Sequence, residues 1–294
     1  MKPAPFDYYA PGALDEALAL LERLGAGAQI LAGGQSLVPL LNMRLARPQA
    51  LVDLNRVPGL ADIRREASEL VLGAMVRHLQ LERDPLVRAH VPLLAEAAGH
   101  IAHVQIRTRG TLGGSLATAA PAAELPAAVT ALEARLVVRS ASSVTRTLRP
   151  AEFFAGPLQT TLAASEVLVE VRVPIPEPGT GWAFVEFTRR RGDFALAGAA
   201  ALARLDGRGH IAGARLALCG VGDVPLRLRD VERILDGAAP SESALERIEV
   251  EVRAAVAART DLQLSAESRR EVAGVMARRA IARALERARE ARPA

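Results

Sequence analysis

The sequence predicts an α+β fold, on three observations. Strand, helix and strand alternate over roughly the first 57 residues. Two double-glycine corners recur about 80 residues apart. From about residue 178 the pattern becomes an antiparallel meander followed by two helices.

The elements follow in order. GALDEALALLERLG (12–25) places Leu14, Ala17, Leu18, Leu21 and Leu24 on one helical face and stops at a glycine. Ile30, Leu31 and Ala32 read as the end of a buried strand, with Gly33-Gly34 as its turn. Ser36 is then placed to cap the segment starting at Leu37, where Pro39 falls in a tolerant early turn. ALVDL (50–54) is the next strand, and ELVLGAMV (69–76) another. Helical patterns cover 91–102 and 123–134, and between them lies a second glycine-rich corner, VQIRTRGTLGGSLATAAP (104–121). ARLVVRS and EVLVEVRVPIP read as strands, the latter alternating Val167, Val169, Val171 and Val173 before prolines end it. A hairpin turn is expected at Asp206-Gly207, and helices over roughly 241–258 and 266–290.

Composition excludes several classes of chemistry. The 294 residues are half hydrophobic, enough for a sizeable core and about two or three domains. No apolar run is long enough to cross a membrane, and MKPAPFDYYAPG lacks the apolar core of a secretory signal, so a cytoplasmic protein is expected. Cys219 is the single cysteine, which excludes an internal disulfide and an iron–sulfur cluster held by this chain alone. Lys2 is the only lysine, so Schiff-base chemistry and a Walker lysine have no residue. The sequence pI is about 10.1 at a net charge of only +4. Its arginines are interspersed with acids as on solvated helix faces, and aromatics are 3% of the chain, so nucleic-acid binding is the weaker alternative.

A strand–glycine–cap corner leaves backbone N–H groups unpaired and pointing one way, and glycine lets an anion approach them. An ordinary tight turn is the alternative for one such corner. GTLGGSL (110–116) echoes AGGQSL (32–37), however, and two such corners suit the two ends of one long phosphate-containing ligand, such as a pyrophosphate joining adenosine and flavin. The first corner is not a G-x-G-x-x-G fingerprint, which disfavours a Rossmann site.

LAGGQSLVPLLNMRLARPQALVDL, QIRTRGTLGGSLATAAPAAELPA, RRRGDFA and AGVMARRAIARA, in this order and spacing, resemble the FAD-binding medium subunit of molybdenum hydroxylases of the carbon monoxide dehydrogenase and xanthine dehydrogenase type. The resemblance covers essentially the whole chain. It implies a PCMH-type (vanillyl-alcohol-oxidase-like) fold: an N-terminal α/β subdomain (1–57), a middle α+β subdomain (58–177) and a C-terminal antiparallel sheet with packed helices (178–294). FAD would lie between the first two. The first glycine motif matches Ala32, Gly33, Gly34, Gln35 and Ser36, and the second Thr111, Leu112, Gly113, Gly114 and Ser115. Both would wrap the diphosphate and ribityl chain. Glu124 matches an acid that bonds FAD hydroxyls, and Asp193 and Phe194 match a G-D-aromatic-A corner whose ring lies near the isoalloxazine. Two departures stand out: Ala120 where many relatives carry an acid, and Phe194 where some carry Tyr.

The resemblance further implies partners and cofactors. A large molybdopterin subunit would oxidise substrate, and a small subunit with two [2Fe–2S] clusters would relay electrons to noncovalent FAD here. The FAD would then reduce a quinone or NAD, the whole being a dimer of heterotrimers. No residue of this chain is expected to be catalytic on substrate or to ligate a metal. His100 and His103 have no evident third ligand and read as ordinary helix residues. Arg189, Arg190 and Arg191 read as a solvated run, Cys219 as a buried small hydrophobe, and Trp182 and Phe184 as core. A stand-alone flavin oxidoreductase of the same superfold and a flavin-free scaffold remain the alternatives.

Overall fold

The computed structural model describes residues 1–142 and 145–291. The last three residues of the segment expected to run to 294 therefore lie outside the described residues. Among the described residues the strands build three main sheets and a two-stranded ribbon.

The N-terminal sheet is parallel, with Ala50–Asp53 between Asp7–Tyr9 and Ala28–Leu31. Leu14–Leu24 forms the predicted helix and buries Ala17, Leu18 and Leu21, while Gly25, at φ +56°, ends it. The strand Asp7–Tyr9 is missed by sequence reasoning because its DYY run has no apolar alternation and is mostly exposed.

The middle sheet is antiparallel, in the spatial order Ile63–Glu66, Glu69–Gly73, Val167–Pro174, Arg135–Arg139, Thr145–Leu148. Helices Pro92–His100 and Glu124–Ala131 carry its core, and all but one residue of the latter is buried. The four alternating valines do not share one face. A bulge between Leu168 and Glu170 shifts the register. Val167 and Val169 consequently pack with Val52, Leu54 and Met75 of the N-terminal core, whereas Val171 and Val173 enter the middle core with Leu70 and Leu72. This strand thus pins the two units to each other at the level of the first glycine corner.

The third sheet is the predicted meander, Gly181–Phe187, Ala197–Leu205, Ile211–Cys219 and Leu226–Arg227. Its turn is wider than a two-residue hairpin. Asp206 Oδ1 accepts from the N–H groups of Arg208 and His210, so the whole stretch 206–210 makes the connection. The long helix Ala266–Glu290 lies on this sheet closely, because the facing strand is alanine-rich and Gly181 admits the Ala284 backbone. Phe184 is fully buried and Trp182 partly so, as core residues should be, and Cys219 is buried with its thiol pKa pushed up by burial.

Candidate functional site

The first corner keeps its geometry but not its predicted cap. Gly34 sits at φ +73°, where glycine is favoured, and helix Leu37–Asn42 begins directly after it. Ser36 makes no side-chain cap bond: at φ −96°, ψ −45° it is itself helical, not in the extended conformation of a capping residue. The N–H groups of Gly33, Gly34, Gln35, Ser36 and Leu37 find no acceptor among the described residues, the first bond of this stretch being Val38 N–H to the Gly34 carbonyl. No carboxylate occurs between Glu22 and Asp53 to compete for them. Five consecutive free donors around a left-handed glycine make an anion-binding concavity. That is the observation by which the chain fits the diphosphate of FAD.

The second corner differs. Thr111 caps the helix Leu112–Thr118, its Oγ1 accepting from Gly114 N–H at 3.1 Å. Leu112 N–H donates to the Val76 carbonyl, Gly113 N–H to Ala74 and Ser115 N–H to Thr111. Leu112 is fully buried. A Cβ on Gly113 would come within 2.8 Å of the Ala74 carbonyl oxygen, so this glycine serves close packing of the helix on the middle sheet. The backbone donors of this motif are spent inside the chain, as is the Thr111 hydroxyl, while Ser115 is half-buried.

The corners touch each other. They do not grip from two separated ends, as their spacing in sequence suggested. A Cβ on Gly33 would overlap the Arg109 carbonyl and lie 2.8 Å from Gly110 Cα, and one on Gly114 would lie 3.6 Å from Ala32 Cβ. Around the contact runs a polar network that sequence reasoning missed. Tyr8 donates to Asp53 Oδ2 (2.5 Å), and Asp53 Oδ1 accepts from the backbone N–H and Nδ2 of Asn55. Asn55 Nδ2 also donates to the Ala32 carbonyl (2.9 Å), and Arg77 donates to Asn55 Oδ1 (2.5 Å) and to the Arg109 carbonyl. Burial holds the Arg77 pKa below its usual value. His78 Nε2 donates to the Thr111 carbonyl at 2.8 Å, and burial pushes this imidazole down to about 4. The only available signal was the type of these residues beside strand ends, which names no partner.

The third motif meets the segment that leads into the second corner. Gly192 is at φ +90° and lies under the His103 ring, where a Cβ would come within 2.6 Å of Cε1. His103 immediately precedes the helix Val104–Arg107 that leads into the second corner, and it is not a helix residue as its pattern suggested. Phe194 is 66% exposed, and Asp193 pairs with Arg190 at 3.5 Å within the exposed arginine run. Arg269, itself buried, fixes this loop by donating to the carbonyls of Leu196 and Gly220.

Glu124 is 4% exposed. Burial, aided by the nearby Glu186, raises its carboxyl to about 7 against the opposing effects of its own backbone N–H and, more weakly, of His100. His100 Nδ1 lies 3.1 Å from Glu186 Oε1. Among the described residues no group of three or more His, Cys, Asp or Glu is disposed to hold a metal ion.

Comparison with known proteins supports the same assignment. Residues 4–176 match the FAD binding domain in molybdopterin dehydrogenase, and 182–284 the CO dehydrogenase flavoprotein C-terminal domain. The caffeine dehydrogenase subunit beta of Pseudomonas sp. strain CBB1 is 44% identical over 98% of this chain and 97% of that one. The carbon monoxide dehydrogenase medium chain of Hydrogenophaga pseudoflava is 41% identical over 96% and 97%. Among solved structures, carbon monoxide dehydrogenase from Hydrogenophaga pseudoflava superposes with a TM-score of 0.94, at 41% identity over 98% of this chain and 99% of that chain. Quinoline 2-oxidoreductase from Pseudomonas putida 86 gives 0.93 at 38% identity, over 98% and 99%. With its PCMH-type architecture and its FAD-binding domain, the chain belongs to the family of FAD-binding medium subunits of molybdenum hydroxylases of the carbon monoxide dehydrogenase type.

Proposed function

We propose that this chain is the electron-transfer subunit of a heteromeric molybdenum hydroxylase, holding noncovalent FAD between its N-terminal (1–57) and middle (58–177) units. The observation that carries the reading is the run of five unpartnered N–H groups, Gly33–Leu37, at a glycine corner packed on a second glycine corner. Ala32, Gly33, Gly34, Gln35 and Ser36 would receive the diphosphate. Thr111, Leu112, Gly113, Gly114 and Ser115 would shape the opposite wall, with Ser115 offering its hydroxyl and the buried Thr111 holding the turn through its bond from Gly114 N–H. Glu124 would accept from FAD hydroxyls, and Asp193 and Phe194 would border the ring. When bound, FAD supplies reversible one- and two-electron exchange, and the protein's part is binding, orientation and electrostatics. The subdomain division is supported by the sheets, each of which draws its strands from one of the three segments.

Molybdopterin and [2Fe–2S] clusters would reside on large and small partner subunits, in a dimer of heterotrimers. The quinone or NAD acceptor would be met at this chain, and substrate oxidation would need the partners. No helix among the described residues is long and apolar enough to cross a membrane, which accords with the cytoplasmic location proposed. The test is isolation of the tagged chain from its own cells under mild conditions. Co-purification of two further polypeptides with molybdenum, iron and FAD is expected. A flavin-loaded chain that never carries molybdenum or iron would favour the stand-alone oxidoreductase instead.

A further inference from the structure

We propose that Asn55 and Arg77 are positioning residues for the cofactor: they hold the two glycine corners at one spacing and so fix the direction of the free N–H groups of the first. The inference rests on the FAD reading above and assigns it two residues outside the glycine motifs.

The first corner has no ladder bond of its own to hold it. Its strand ends at Leu31, and among the described residues the backbone N–H groups from Gly33 to Leu37 find no acceptor. Within the corner, Gln35 Nε2 donates to the Gly33 carbonyl at 3.1 Å and Val38 N–H to that of Gly34; what ties it to the rest of the chain is the bond from Asn55 Nδ2 to the Ala32 carbonyl and the steric stop of Gly33 against the Arg109 carbonyl. That same Arg109 carbonyl is held by Arg77, whose other guanidinium arm reaches Asn55 Oδ1. Asn55 thus touches both corners, directly at Ala32 and through Arg77 at Arg109. Three of its four amide bonding directions are taken in this network: Nδ2 gives its hydrogens to Ala32 and Asp53, and Oδ1 accepts from Arg77. Asp53, itself buried, in turn accepts from the exposed Tyr8, and this hydrogen bond raises the Tyr8 hydroxyl pKa.

The location argues against a purely architectural role. Asn55 is exposed and Arg77 half-buried, and the N-terminal and middle cores are already joined beneath them by Val167, Val169 and Met75. Exposed hydrogen bonds add little to folding, whereas a donor array misaimed by a fraction of an ångström loses its ligand. Arginine suits 77 because the two acceptors are met by separate nitrogens of one planar fork, whereas an ammonium offers a single nitrogen on a flexible stem.

The experiment measures FAD affinity by quenching of flavin emission, and the thermal midpoint of the apo-protein, for the full chain and for Asn55→Ala, Arg77→Met, Arg77→Lys and the Asn55→Ala/Arg77→Met double variant. Each single variant is expected to bind FAD on the order of tenfold more weakly. The double variant should lose little beyond either single one, since both cut the same strut. Apo midpoints should stay within a few degrees of wild type. At saturating FAD the visible band should keep its wild-type shape, because the ring end of the site is untouched. Arg77→Lys should not restore affinity. Wild-type affinity in Asn55→Ala, or losses that simply add and follow the midpoints, would overturn the positioning role. Should Arg77→Met not fold, Asn55→Ala and Arg77→Lys carry the same comparison. A wild-type chain that takes up no FAD, alone or in its assembly, would overturn the underlying reading instead.

Discussion

Gly33→Ala is the sharpest perturbation of the site. Gly33 does not have a positive φ, so alanine fits its backbone conformation and would restrict the unfolded chain, a gain of about 0.4–1 kcal/mol. Against this, the new methyl would lie 2.8 Å from Gly110 Cα and overlap the Arg109 carbonyl, both backbone and both unable to rotate away. Ordinary carbon contacts need about 3.5–4.0 Å, so the corners must part by roughly 1 Å. Overpacking of this kind costs about 1–3 kcal/mol, which exceeds the conformational gain. The separation also breaks the alignment of the first corner with the second. Loss of two well-aimed bonds to an anion at about 1.5 kcal/mol each corresponds to roughly a hundredfold weaker FAD binding. The assay is flavin-emission titration of the folded variant together with its chemical denaturation curve. Wild-type affinity and stability in Gly33→Ala would show that the corners do not meet as described.

Three further outcomes are expected. Gly114→Val should abolish FAD binding without unfolding the chain, since its side chain would enter the phosphate's approach and displace Thr111 Oγ1, 2.7 Å from the new Cβ; full flavin occupancy would refute it. Phe194→Ala should leave stability within about 0.5 kcal/mol, the ring being 66% exposed, and change the potential or reactivity of bound flavin; unchanged spectra and electron-transfer rates would place the ring elsewhere. Glu124→Gln should alter the pH dependence of stability. A buried acid raised from 4.5 to about 7 favours the folded state fully below pH 4.5 and loses that contribution as pH rises through about 7, so the variant should gain about 3 kcal/mol on wild type at pH 8 and almost nothing at pH 4. His78 works in the opposite sense, its contribution being present above pH 6.5 and lost as pH falls toward about 4, so wild-type stability is flattened between the two and the variant's is not. Urea midpoints across this range measure it, and parallel profiles would count against a buried, proton-holding Glu124.

Much of the fold was legible because its signals are local. The helix at 14–24 has a clean apolar stripe and a glycine stop, and the two late helices, rich in Ala, Arg and Glu, carry helical patterns of their own. Elements built on tertiary context were not. Leu112–Thr118 reads as a glycine loop by propensity, yet a Thr111 cap and packing against Ala74 make it a helix. The valine strand looked single-faced because a bulge leaves no mark in an alternating sequence. At the site, the glycine motifs named both corners, but only the coordinates show that one has open donors and the other has used them. The strut through Asn55 and Arg77 links residues 22 apart in sequence, and its members are ordinary surface types that no spacing rule singles out.

The most direct test of the central claim is the visible absorption spectrum of the purified full-length chain, recorded before and after incubation with FAD and desalting, then repeated on the co-expressed assembly. The expected result is a pair of flavin bands that survive desalting and leave with the supernatant on acid precipitation. A folded chain that stays colourless both alone and in its assembly, or flavin that remains attached to the acid-precipitated protein, would contradict noncovalent FAD at the two glycine corners.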